Sequence, residues 1–213
     1  MPFLNSFIGI VAAASLCGQA LPSLAGELTR NRESIFVQGN IQAGDLAQLD
    51  LTGVREMVFE DSLGGTYAGA LHYIEVIKRN DINTVVKGKC FSACALAFLA
   101  GKQRSIGSAT GVTAISLHSS RILVDGVPQE YTDKRPLMSK IYELTGGKMK
   151  PEVLELIRKS WTEASGVVFV AYSFLGFTHF KTLYCDGTQG ADTSKCTRLA
   201  NADPYEMGVL TKR

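Results

Sequence analysis

Charge is missing from the start of this chain and nearly balanced over the rest. From Met1 to Ala25 there is no Lys, Arg, Asp or Glu, while the full 213 residues carry 22 basic and 20 acidic side chains for a formal charge of +2. Such balance, with no basic stripe, argues against nucleic acid as a partner. Long apolar runs are also absent. Phe7 to Cys17 is shorter than the ~20 residues a helix needs to span a bilayer, and no later segment is long and charge-free enough to cross one. There is no Gly-x-Ser-x-Gly, which disfavours an α/β-hydrolase. There is no Cys-x-x-Cys, and a zinc site built on His118 would lack a fourth ligand. No phosphate loop is present for ATP, and no pattern calls for a cofactor. Histidine is scarce: only His72, His118 and His179.

The charge-free start ends in Pro22-Ser23-Leu24-Ala25, with small residues at −3 and −1 for cleavage after Ala25. That is the pattern of a secretory signal peptide over residues 1–25, although no Lys or Arg precedes its apolar run. A buried N-terminal helix or a retained anchor is the alternative. Cleavage leaves residues 26–213, of a length and composition suited to a single domain, periplasmic or secreted and without a stable membrane span. It also leaves four cysteines, an even number. Cys185 and Cys196 bracket a polar loop with two glycines, and in an oxidising compartment a disulfide closing it is worth roughly 2–3 kcal/mol. Two free thiols are the other reading.

Along the chain, residues 26–34 read as a polar, unpaired lead-in. Ser34–Gly39 and Val54–Glu60 read as strands, the second running into Asp61-Ser62-Leu63-Gly64-Gly65-Thr66, a loop with adjacent glycines. Tyr67–Arg79 is an amphipathic helix with Tyr67, Leu71, Ile74 and Ile77 on one face and Glu75 placed to pair with Arg79. Thr84–Gly88 is a β-branched strand, Ser92–Leu99 a helix apolar enough on all sides to be buried, and Thr113–His118 an alternating strand. Pro136 and Pro151 open two further helices, Leu137–Leu144 and Glu152–Trp161. Val167–Leu175 is apolar and ambiguous, strand by composition and helix by position. Strands alternating with helices predict βαβ units and a mainly parallel sheet.

Ser92 follows a strand and a tight turn and opens a buried helix. A hydroxyl there lies near unpaired backbone N–H groups and the positive end of the helix dipole, where it can attack a carbonyl while Ala93 N–H faces the oxyanion. The competing reading is an ordinary helix N-cap, a role serine fills very often. Gly64-Gly65 lets a second backbone N–H come close to a substrate, and His118 closes a strand that can neighbour the serine. His72, within a helix, and His179, in a late turn, read as surface or packing residues. Cys90 and Cys94 flank Ser92, either bridged across the helix start and binding down its turn, or buried as free thiols.

The run Asp61–Thr66, then Thr84-Val85-Val86-Lys87-Gly88-Lys89-Cys90-Phe91-Ser92-Ala93-Cys94, then Phe98-Leu99-Ala100-Gly101 and Ile115-Ser116-Leu117-His118, resembles the core of the Clp-protease/crotonase superfamily. More narrowly it is similar to exported Clp-like proteins with a Gly-x-Cys-x-Ser-Ala-Cys segment. The similarity covers about residues 35–120, with Ser92 27 residues after Gly65 and His118 26 after Ser92. It implies an α/β fold of that superfamily, a βαβ superhelix with a mainly parallel sheet. It also implies Ser92 as nucleophile, His118 as base, the N–H groups of Gly65 and Ala93 as oxyanion hole, and assembly into a homo-oligomer. Clp-type peptidases complete a triad with an aspartate, and Arg158–Glu163 contains none. Glu163 is the nearest carboxylate and can orient His118. An exposed helix-end glutamate and a Ser-His dyad are the alternatives, and Asp125 and Asp133 read as surface-turn residues.

Three functions follow. The first is an exported serine peptidase acting on a peptide or protein. The second is a non-catalytic binding or assembly protein that lacks a complete triad. The third, an acyl-CoA hydratase or isomerase, is weakened by the leader and by the lack of carboxylate bases near the glycine loop.

Overall fold

The computed structural model describes residues 26–107, 111–124, 127–162, 164–174, 177–190 and 192–211. The expected signal peptide over residues 1–25 lies outside them, as do Asp125 and Glu163.

The polar lead-in is a strand. β1 (Glu27–Asn31) pairs antiparallel with β2 (Ser34–Gln38) around Arg32-Glu33, where Arg32 takes a positive φ of 52°. β3 (Glu56–Ser62) lies parallel to β2, and α1 (Tyr67–Arg79) carries the chain over to β4 (Asn83–Phe91), parallel to β3. The short α2 (Ala93–Phe98) then leads to β5 (Arg104–Ile106) and β6 (Gly111–Leu117), both parallel to β4 on its other side. β7 (Arg121–Val124) and β8 (Val127–Glu130) form a separate two-stranded ribbon. After α3 (Arg135–Leu144) and α4 (Pro151–Lys159) come the long strands β9 (Ser165–Phe174) and β10 (Phe177–Asp186), then β11 (Thr197–Arg198). The apolar run from Val167 is thus strand.

Local chemistry accounts for these boundaries. Thr66 caps α1, its hydroxyl accepting from Gly69 N–H at 3.0 Å, and Glu75 pairs with Arg79 at 3.2 Å. The buried face of α1 is Ala70, Tyr73, Ile74 and Ile77, rotated from the expected one, and Tyr67 and Leu71 are exposed. The i, i+3, i+4, i+7 spacing holds, but small Ala70 and the large Tyr73 ring face the core. Proline stands in the first turn of both α3 and α4. α1 and α2 pack with Ile35, Val37, Met57, Phe59, Val86 and Phe169 in one continuous core. The buried Arg104 guanidinium donates to the carbonyls of Leu99, Gly101, Gly208 and Val209, tying the last described segment to the end of α2.

The sheet corrects the expected architecture. Among the described residues nine strands form one sheet, ordered β1-β2-β3-β4-β6-β9-β10-β11 with β5 on β4. The β1/β2, β6/β9, β9/β10 and β10/β11 pairs are antiparallel, and the longest ladder of all is β9/β10. The sheet is mixed with few helices, so the expectation of a ClpP/crotonase-like, mainly parallel βαβ superhelix is overturned. The physical reason is connection length. A parallel pair needs a crossover of a dozen or more residues, and only two residues separate β9 from β10.

Candidate functional site

The parallel strands β3, β4 and β6 end together, and the sequence's candidate residues follow their carboxyl ends. Ser62 stands abreast of Cys90, and Cys90 of Ile115. Ser92 N–H donates to Ser116 O at 2.9 Å, carrying the β4/β6 ladder one residue past β4. His118 follows two residues after that carbonyl. Gly64, Gly65, Ser92 and Ala93 therefore lie together at the carboxyl end of this parallel unit, where open α/β sheets bind ligands, and His118 stands just past the end of β6.

Ser92 is the unusual residue. Its backbone sits at φ 56°, ψ −123°, the second position of a type II′ turn, which belongs to glycine. Its hydroxyl makes no capping hydrogen bond to α2. The N-cap reading fails on that point, and what remains is a strained strand-turn-helix serine, as in a nucleophile elbow, although the Gly-x-Ser-x-Gly signature is absent. Cys90 and Cys94 form a disulfide across this turn with Cα atoms 5.3 Å apart, and both residues are fully buried.

The glycine pair is required by close contact on two sides. A Cβ on Gly64 would lie 2.8 Å from Ser92 Cβ and 3.1 Å from Phe91 O, while one on Gly65 would lie 2.0 Å from Ile41 O. Ile41 bridges this loop, its N–H donating to Gly64 O at 2.8 Å and its carbonyl accepting from Thr66 N–H at 3.1 Å. Those two bonds do not use Gly65 N–H, which has no partner among the described residues. Ala93 N–H begins α2 and has no carbonyl of its own helix to bond. These are the two donors assigned from the sequence to an oxyanion.

His118 is half-buried, and its Nδ1 lies 2.8 Å from Ser119 O. A carbonyl only accepts, so Nδ1 carries the hydrogen and the basic lone pair of the neutral ring belongs to Nε2. Buried Ser119 is held by its own N–H on Ser160 O at 2.6 Å, which fixes the carbonyl that orients the ring. Gly166 of β9 makes room here: a Cβ on it would meet Leu117 O at 2.9 Å. Ile41, Ser119 and Gly166 escape sequence reasoning because only tertiary pairing brings them to this edge. Asp133 is engaged elsewhere, chelated by Arg135 at 2.9 Å and held below the usual carboxylate range by that hydrogen bond. Glu163 lies outside the described residues.

Cys185 and Cys196 are bonded as expected, with Cα atoms 4.6 Å apart, on the β10–β11 connection. Among the described residues no three His, Cys, Asp or Glu side chains cluster as metal ligands would. A cavity of about 660 Å³ lined by Lys78, Arg104, Glu143 and Lys148, among others, shares no residue with the Ser92 edge. No helix among the described residues is long and apolar enough to cross a membrane.

No family model matches this chain, and no curated protein matches it.

Proposed function

We propose that this chain is an exported serine peptidase in which Ser92 is the nucleophile and His118 the general base. The observation that carries the reading is the Ser92 backbone: a non-glycine residue in a glycine conformation, with its hydroxyl withheld from the helix it precedes. Strain of about 1–3 kcal/mol persists only where surrounding structure enforces it, and it gathers at functional sites. The correction of the fold does not weaken this, because activity belongs to the site and not to the architecture.

In the proposed reaction Ser92 Oγ attacks the peptide carbonyl carbon while His118 Nε2 takes the hydroxyl proton. The N–H groups of Gly65 and Ala93 hold the oxyanion, a kind of donor worth about 10²–10³ in rate. Collapse expels the amine, which receives the proton from His118, and water releases the acyl group by the same steps in reverse. Glu163 is the carboxylate proposed to orient His118, and a Ser-His dyad is the alternative. The two disulfides fit an oxidising compartment, which supports a periplasmic or secreted location. A peptide or protein substrate and a homo-oligomer are what the superfamily resemblance contributes.

A fluorophosphonate probe tests the assignment. The oxidised protein is expected to be labelled at Ser92, and Ser92→Ala to lose the label with its circular dichroism unchanged. A wild-type protein that resists the probe would instead favour the non-catalytic binding or assembly reading, and labelling that survives in S92A would place the nucleophile elsewhere.

A further inference from the structure

The Cys90–Cys94 disulfide encloses only Phe91, Ser92 and Ala93, so the covalent ring contains the strained residue itself. Residues four apart are normal neighbours within a helix, but here the link joins the penultimate residue of β4 to the second residue of α2. The chain between them must turn within three residues, and Ser92 at positive φ is the residue that turns. Two softer restraints act beside it: the hydrogen bond from Ser92 N–H to Ser116 O, and the contact of Gly64 with Ser92 Cβ.

Without the link a second arrangement is available to the same residues. Serine before a helix favours an extended backbone with its Oγ accepting an N–H of the first turn, the ordinary N-cap. In that state the strain is released, and the hydroxyl is engaged by backbone rather than presented to a substrate. A turn with these two conformations open to it is a two-state element, and the proposal assigns the link to the strained one.

We propose that the Cys90–Cys94 disulfide is a redox gate on Ser92, holding the serine reactive when oxidised and releasing it to a capped, unreactive turn when reduced. This rests on the reading of Ser92 as nucleophile. A dithiol reductant closes the gate. One of its thiolates attacks a sulfur of the pair, forming a mixed disulfide and releasing the other cysteine as thiolate. Its second thiol then displaces the remaining cysteine. Two electrons and two protons pass to Cys90 and Cys94, and the reductant leaves as its own disulfide. Both cysteines are fully buried, so attack waits on opening of the turn, whereas Cys196 is half-exposed and its bridge to Cys185 opens first. A chain still in a reducing compartment is silent, and export arms it.

The test uses the oxidised full chain, titrated with dithiothreitol, its free thiols trapped by iodoacetamide and located by peptide mass spectrometry. Fluorophosphonate labelling is timed at each step. Opening Cys185–Cys196 is expected to leave the labelling rate unchanged, as is the C185S/C196S variant. Opening Cys90–Cys94 is expected to slow labelling about tenfold or more, with recovery on reoxidation and circular dichroism unchanged. An unchanged rate in protein alkylated at both Cys90 and Cys94, or in folded C90A/C94A, overturns the gate and leaves the nucleophile standing. If oxidised protein is never labelled, the hydrolase reading fails instead. Hydrogen exchange at the Ser92 amide then decides the positioning role, faster exchange on reduction supporting it and unchanged exchange refuting it.

Discussion

Ser92→Gly and Ser92→Ala remove the same hydroxyl but treat the backbone beneath it differently. At φ 56°, ψ −123° an L side chain is strained by about 1–2 kcal/mol relative to glycine, in the lower part of the range for sparsely populated torsions. Glycine gives back about 0.4–1 kcal/mol through the larger entropy of its unfolded chain. S92G is therefore expected to be more stable than S92A by about 0.5–1 kcal/mol, with both variants resistant to fluorophosphonate. The same pair of substitutions at Ser139, exposed within α3, has the opposite sign, because glycine in a helix interior costs about 1 kcal/mol relative to alanine. The two sites should differ by about 1.5–2 kcal/mol. In a domain of this size that is a gap of about 3–8 °C between the paired melting differences. The assay is thermal and urea unfolding of all four variants with both disulfides intact. If S92G falls below S92A by the margin seen at position 139, Ser92 is not strained, and its assignment as nucleophile fails.

Gly64→Ala places a methyl 2.8 Å from Ser92 Cβ and should slow labelling about 10–100-fold, whereas Gly146→Ala, with φ 66° and nothing within 4 Å, should cost backbone strain of ~1 kcal/mol and no reactivity. Equal labelling rates in the two variants would show that Gly64 does not shape the serine's turn. Glu143 accepts hydrogen bonds from Lys140 and Lys78, which hold its pKa at about 2 against an ordinary 4.5. A depressed carboxylate contributes stability above the unfolded pKa and loses it as pH falls through the folded one, so this contribution disappears between pH 4.5 and 2. The group is half-exposed, which limits it to ~1 kcal/mol or less. Melting temperature against pH should fall less steeply over that window in Glu143→Gln than in the wild type, and identical slopes would refute the pairing.

The parts of the fold that were legible in the sequence are those whose signal is local. Tyr67–Arg79 reads as a helix to the residue, because Thr66 caps it and Asn80-Asp81 breaks it. The bare spacing of apolar residues does not say which of two overlapping stripes faces inward: Tyr67 and Leu71 share a face with Ile74 and Ile77, yet Ala70 and Tyr73 are the residues buried with them. β1 escaped notice because Glu27-Leu28-Thr29-Arg30-Asn31 is an edge strand, exposed along most of its length. The sheet's mixed character escaped because alternation of strands and helices fixes neither partner nor direction. α3 and α4 fall between β6 and β9 like a crossover, yet β9 returns antiparallel to β6. At the site, residue types were readable and backbone torsion was not. Composition statistics make a serine at a helix start a cap, and nothing in the local pattern Gly88-Lys89-Cys90-Phe91-Ser92 announces a positive φ without glycine.

That failure of local preference is what supports the role proposed for Ser92. A capping serine needs no help, since its conformation is the one the helix start already favours. Here Ser92 is held against that preference by a disulfide across the turn, by a hydrogen bond to the neighbouring strand, and by a glycine pressed against its Cβ. The glycine in turn depends on Ile41, and the strand that accepts the hydrogen bond is the one that delivers His118. A turn serving only to join β4 to α2 would be more stable with glycine at position 92. The proposed nucleophile accounts for restraints that converge on one hydroxyl-bearing residue and for a hydroxyl kept off the helix that follows it.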